Sequence, residues 1–198
     1  MIKRVLKIMN NLINSPLYDK DEIKSDKISL HSIDYVGKIN LRISETDTEL
    51  RDKVIDFLGY DLPSSNKVKG DDKTRTLWLG PNEYLILCED SEKINIINNL
   101  RLNLGSNLFA ITDVSDYYLT MRLSGTSAIE VLSKSCSLDF NHSIEIKDTC
   151  VQTYINKATV LIDRLADETV FDISVRWSFA EYLWDWLSDS SKEFIEEN

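Results

Sequence analysis

From Tyr117 to Ser124 apolar and polar side chains alternate, with Tyr117, Leu119, Met121 and Leu123 on one face and Tyr118, Thr120 and Arg122 on the other. A period of two is that of a half-buried strand. Residues 109–113 are mostly apolar, and Asp113, Ser115 and Asp116 carry side-chain oxygens suited to a tight turn, so the segment predicts a hairpin. Gly125 then frees the backbone, and Ser127 with Glu130 forms a capping box ahead of Ile129, Val131 and Leu132. A helix is predicted there, ending near Cys136.

The same grammar runs through the rest of the chain. Residues 28–33 and 38–44 predict a first hairpin, the second strand placing Ile39, Leu41 and Ile43 inward. Thr46 and Glu49 make a second capping box, Leu50, Val54, Phe57 and Leu58 share a helical face, and Gly59 closes the helix. Residues 62–73, with Pro63 and Gly70, predict a surface loop. Residues 77–79 and 84–88 flank Gly80, Pro81 and Asn82, a third hairpin whose second strand is apolar on both faces and therefore central. Asp90 or Ser91 caps a helix with Ile96, Ile97, Leu100 and Leu104 aligned and Gly105 at its end. Strands follow at 150–155, 159–165 and 169–177, the last with Phe171, Ile173, Val175 and Trp177 opposite Asp172, Ser174 and Arg176.

The final helix, from Ser178 to about Glu193, is wider in its apolar face than a surface helix requires. At about 100 degrees per residue, Phe179, Tyr182, Leu183, Trp184, Trp186 and Leu187 spread over roughly 200 degrees, against a stripe of about 100 degrees that one core covers. The excess, and the enrichment of aromatic residues at interface centres, make Tyr182, Trp184 and Trp186 the candidate partner interface. At the other end, residues 1–14 predict a short helix with Val5, Leu6, Met9, Leu12 and Ile13 on one side, an extension ahead of a single domain at 15–198. Residues 18–27 read as an exposed linker. The fold class is α+β, antiparallel hairpins interleaved with helices in two similar halves, about 15–105 and 106–198. No residue-level self-similarity ties those halves together.

Composition narrows the function. The chain has 198 residues, 42% of them hydrophobic, and a formal net charge of −10 with a pI near 4.7. Its cations are scattered, and clustered cations are what a phosphate backbone requires, so nucleic acid is excluded as an expected partner. Cys88, Cys136 and Cys150 are odd in number and far apart, which points to buried thiols in a reducing compartment rather than a disulfide framework or zinc ribbon. Lys3, Arg4 and Lys7 interrupt the first apolar residues, and no run of about 20 apolar residues occurs, so the expectation is a cytoplasmic protein with no membrane partner. The sequence has no G-x-G-x-x-G after a strand, no P-loop, no C-x-x-C and no H-E-x-x-H. His31 and His142 read as ordinary histidines. Asp113, Ser115, Asp116 and His142 contain the residue types of a nucleophilic set, but no nucleophile-elbow motif surrounds the serine. A helix-ending turn accounts for Cys136 and Asp139.

A set of short blocks, in order, carries a resemblance: Asn40-Leu41-Arg42; Trp78-Leu79-Gly80-Pro81-Asn82-Glu83-Tyr84-Leu85; Asp113-Val114-Ser115-Asp116; Ser124-Gly125 with Ala128, Val131, Leu132, Cys136 and Asp139; Gln152-Thr153; and Arg176 with Ser178-Phe179-Ala180 and Trp184-Asp185-Trp186-Leu187. Their order and spacing resemble the gamma subunit of heterotetrameric sarcosine oxidase from Ser15 to Leu187, with residues 1–14 outside. Asn82 and Tyr84 stand where that family usually has aspartate and tryptophan, and Thr126 where proline is common.

The resemblance implies a fold like the folate-binding domain of aminomethyltransferases, in a non-catalytic accessory subunit. The enzyme it implies demethylates sarcosine oxidatively to glycine, with hydrogen peroxide and, from tetrahydrofolate, methylenetetrahydrofolate as products. It implies no catalytic, cofactor-binding or metal residue in this chain; FAD, FMN, NAD, zinc and tetrahydrofolate belong on the partner alpha, beta and delta subunits. The alternative is a free-standing folate-binding one-carbon transfer protein of the aminomethyltransferase type, whose catalytic signature is not found here. A folate-linked RNA-modifying protein fits poorly with the acidic charge and with Lys134-Ser135-Cys136-Ser137, which lacks that group's glycines.

Overall fold

The structure is a computed structural model, and it describes residues 15–33, 36–144, 147–166 and 169–195. The helix expected at 1–14 lies outside the described residues. In chain order the elements are β1 (Ile23–Lys24), β2 (Ser29–Ile33), β3 (Val36–Ile43), α1 (Thr48–Leu58), β4 (Val68–Gly70), β5 (Thr74–Gly80), β6 (Glu83–Glu89) and α2 (Lys93–Leu104). Then come β7 (Phe109–Asp113), β8 (Tyr118–Ser124), α3 (Ala128–Ser133), α4 (Phe140–Ser143), β9 (Thr149–Ile155), β10 (Ala158–Ala166), β11 (Val170–Arg176) and α5 (Ala180–Ser191). One antiparallel sheet runs β1-β2-β8-β11-β10-β9 and the other β4-β5-β6-β3-β7.

Alternation along the strands separates three cores. On β6, Tyr84, Ile86 and Cys88 pack with Leu50, Val54, Ile97, Leu100 and Leu104 of α1 and α2. The intervening Leu85 and Leu87 turn the other way and meet Leu161 of β10 and Cys150 of β9. On the far side of the second sheet, Leu119, Met121, Leu123, Phe171, Ile173 and Val175 bury against Val131, Leu132, Leu183 and Trp184 of α3 and α5. The layers are therefore helices, sheet, sheet, helices. With β6 third in a five-stranded sheet and buried on both faces, its apolar run marks it as central, as its sequence predicts.

Two predicted hairpins are not hairpins. β2 pairs with β8, Leu30 opposite Leu123, whereas β3 pairs with β6 and β7 in the other sheet. Likewise β7 belongs to the five-stranded sheet and β8 to the six-stranded one. The handover lies in the turn between them: Val114 N donates to Lys38 O of β3 at 2.8 Å, while Tyr117 O accepts from Trp177 N at 3.0 Å. Strand periodicity reports which face is buried and is silent on which neighbour supplies the hydrogen bonds. The two sheets thus do not follow a division at 105/106, because the first half lends β1 and β2 to one sheet and the second lends β7 to the other.

The helix boundaries also differ in detail. The cap of α1 is Asp47, whose Oδ1 accepts from Leu50 N at 3.0 Å, and Thr46 bonds Ser44 instead. Ser127 precedes α3 but makes no side-chain cap bond, α3 ends at Ser133, and the helix predicted from Asp90 opens with a 3-10 turn, Asp90–Glu92. Gly59 closes α1 at φ 78 as predicted. Gly125 holds φ 121, and a Cβ there would stand 2.2 Å from Lys27 O, which is how the chain entering β2 passes so near the end of β8. The loop expected at 62–73 contains β4, whose Val68 is buried between the sheets.

Candidate partner interface

The wide apolar face of the last helix divides into two parts. Ala180, Leu183, Trp184 and Leu187 point into the core beneath the six-stranded sheet, and Trp184 is 5% exposed. Trp184 is therefore a core residue of this chain and not a surface available to a partner. Tyr182 is half-buried, its ring edge-on to Phe179 with centroids 6.0 Å apart. Trp186, also half-buried, lines a groove with Lys134, Cys136 and Asn156. Phe179 lies outside α5, in the 3-10 turn Trp177–Phe179, so an α-helical wheel misplaces it, while the spread of about 200 degrees runs from Tyr182 to Trp184 without it.

What the wheel misses is a surface patch at the adjoining ends of β8 and β11. Tyr117, Trp177 and Phe179 are exposed there, at 46%, 42% and 37%. Arg176 holds its guanidinium 5.7 Å above the Tyr117 ring, and Tyr117 meets Tyr118 edge-on at 4.6 Å. Tryptophan, tyrosine and arginine are the residues that dominate binding energy at interface centres. A sign in the sequence was present: Trp177 ends the inward series of β11 but falls one residue past the strand, in the turn.

Between the sheets the contact is polar at one end. Arg75 of β5 donates from Nη2 to both oxygens of Asp163 on β10, at 3.1 and 3.3 Å, and from Nη1 to Asp148 at 3.4 Å. Burial pushes the Asp163 carboxyl up to about 6, with Arg75 working against the rise. Arg122 binds Asp172 bidentately at 2.7 and 2.9 Å. Lys38, 3% exposed, donates to Tyr118 O at 3.2 Å, and burial lowers it to about 8. These groups line or adjoin a cleft of about 470 Å³.

The chemistry-bearing residues singled out from sequence are spent locally. Ser115 Oγ donates to Asp113 Oδ1 at 2.6 Å and accepts from Lys38 N at 3.0 Å; Asp113 also pairs with Lys93 at 3.2 Å. His142 is exposed and bonds Asp139 at 2.7 Å, so that pair, rather than Ser115, takes its ring nitrogen. His31 Nδ1 lies 3.9 Å from Glu22. All three cysteines are buried and free, and burial pushes Cys88 up to about 11 and Cys150 up to about 12, far from the thiolate form. Among the described residues no group of three or more His, Cys, Asp and Glu is placed to hold a metal ion, and no helix is long and apolar enough to cross a membrane.

Two helix-backed antiparallel sheets packed face to face define an α+β domain of the kind found in the glycine cleavage system aminomethyltransferase T from Bartonella henselae. That structure covers 80% of this chain and 44% of its own, at 15% identity and a TM-score of 0.58, a likeness of fold. The chain belongs to the sarcosine oxidase gamma subunit family, whose pattern residues 42–193 match. It is 31% identical over 138 residues to the sarcosine oxidase subunit gamma of Corynebacterium sp. (strain U-96), a stretch that is 69% of this chain and 66% of that one, just under two thirds of the relative's length. The corresponding subunit from Arthrobacter sp. is 30% identical over 139 residues, 69% of this chain and 67% of that one. Among solved structures, a chain of heterotetrameric sarcosine oxidase from Corynebacterium sp. U-96, in complex with pyrrole 2-carboxylate, matches at a TM-score of 0.84 and 26% identity over 94% of this chain and 98% of its own.

Proposed function

We propose that this chain is the non-catalytic gamma subunit of a heterotetrameric sarcosine oxidase, supporting oxidative demethylation of sarcosine to glycine by docking on alpha, beta and delta subunits. FAD, FMN, NAD, zinc and tetrahydrofolate, with the peroxide- and methylenetetrahydrofolate-forming chemistry, belong to those partners. The observation that carries the reading is the near end-to-end likeness to a chain of such an assembly. The exposed Tyr117, Trp177 and Phe179 supply the kind of surface a subunit contact uses. Co-expression with the neighbouring subunits, followed by size exclusion with mass detection and a flavin absorbance scan, tests it. A yellow assembly that contains this chain and turns over sarcosine is expected; a chain eluting alone and colourless beside an assembled, active set of the others would refute it.

The fold likeness raises folate binding by this chain itself as a second reading. Among the described residues that line the cleft between the sheets none offers an aromatic ring for a pterin to stack on, and both of their guanidinium groups already bond carboxylates, which weighs against tetrahydrofolate there. Calorimetric titration of the purified chain with tetrahydrofolate is expected to give no binding heat, and a saturable one would favour this reading.

A further inference from the structure

The two sheets repeat one topology. β3, α1, β4, β5, β6, α2 and β7 build a sheet ordered β7-β3-β6-β5-β4, and β8, α3, β9, β10, β11 and α5 build its counterpart, β2-β8-β11-β10-β9. β2, arriving from the start of the chain, fills the place of β7. Beyond β2 the second sheet carries one strand more, β1, pairing Ile23 with Leu30 and Lys24 with Ser29. The place beside β7 that corresponds to β1 has no strand among the described residues.

That edge is closed at one end and open at the other. Arg101 of α2 donates to the Ile111 carbonyl at 3.1 Å, occupying an acceptor of β7. At the N-terminal end, Leu108 is 92% exposed at the mouth of a cavity of about 540 Å³, walled by Ile43, Pro81, Phe109 and Ala110. Arg42 and Glu83 neutralise each other in its wall at 2.9 Å. Glu45, exposed and next in the chain to Ser44 of the cavity wall, donates its amide to the Asn82 side chain at 2.6 Å and adds a carboxylate beside the cavity, on a chain whose net charge is −10. An open strand end beside an apolar groove accepts an extended peptide, whose backbone extends the sheet and whose side chain fills the groove.

We propose that the Leu108–Ala110 end of β7 takes a short extended segment of a partner subunit, an apolar residue beside a cation, in the position that Ile23–Lys24 holds beside β2. The apolar side chain covers Leu108 and Phe109, and the cation meets Glu45. This rests on the reading of the chain as a subunit of a larger assembly.

The test compares wild type, Leu108→Glu and, as control, Leu102→Glu, co-purified with the partner subunits. Leu102 is 78% exposed on α2, so both substitutions remove one exposed leucine, and unfolding midpoints of the isolated chains verify that each folds. Leu108→Glu is expected to weaken assembly roughly tenfold or more, and Leu102→Glu less than about twofold. Amide exchange at 108–110 should slow when the wild-type chain assembles. If the wild type assembles but Leu108→Glu does so equally and the 108–110 amides exchange as in the free chain, the groove is not the contact and the subunit reading stands. If the wild type does not assemble, both fall.

Discussion

Replacing Asp163 by asparagine should raise stability at neutral pH. Asp163 is 2% exposed, and although Arg75 Nη2 bonds both its oxygens, Asp172 and Asp148 oppose its charge and burial pushes it from an ordinary 3.8 up to about 6. Between those values the folded chain holds a proton that the unfolded chain has released. By linkage, the Asp163 contribution to stability is fully present below 3.8 and is lost as pH rises through 6. At 1.36 kcal/mol per pH unit, the gap corresponds to about 3 kcal/mol. Asparagine keeps the size and one acceptor oxygen for Arg75 with no charge to bury. The expected gain over wild type is smallest near about pH 4 and grows to on the order of 1–3 kcal/mol at about pH 7.5, or roughly 2–4 °C per kcal/mol in the unfolding midpoint. Urea unfolding of both proteins across that range measures it. An asparagine variant that is the less stable at neutral pH, with the deficit shrinking on acidification, would mean that the Arg75 attraction outweighs desolvation, and the reasoning would be wrong.

Two further pairs of substitutions separate alternatives raised by the sequence. Asp47→Ala should cost about 1 kcal/mol by removing the bond to Leu50 N, whereas Thr46→Ala, off the cap, should stay within about 0.5 kcal/mol, as read from urea midpoints. Trp184→Ala should destabilise the isolated chain by about 3–5 kcal/mol because it empties a core position, while Trp186→Ala, half-buried beside a groove, should cost less than half as much; equal losses in calorimetry would contradict their different burial.

The elements were legible in the chain because each answers to local chemistry. Gly59 stops α1 for want of a Cβ, the alternation of β11 separates Phe171, Ile173 and Val175 from Asp172 and Ser174, and the apolar run of β6 marks a strand covered on both sides. Of the candidate interface, the structure decides only how deeply its residues are buried. Tyr182 and Trp186 do stand near the surface, but Trp184 does not, since a wheel orders side chains around an axis and leaves open which arc the core will cover. Arg75 and Asp163, 88 positions apart, had no common signature; only packing of the two sheets brings them to 3.1 Å.

Amphipathic period, turn residues and composition by themselves determined an acidic α+β chain with helices set between antiparallel strands, and the order of its short blocks pointed to its family. Tertiary structure alone decided which strands share a sheet. A strand's side chains encode burial on each face, but its backbone hydrogen-bond groups are the same in every sequence and accept any edge that geometry presents. The crossing of the chain at residues 114–117, the lending of β2 to one sheet and β7 to the other, and the open edge beside Leu108 all follow from that indifference.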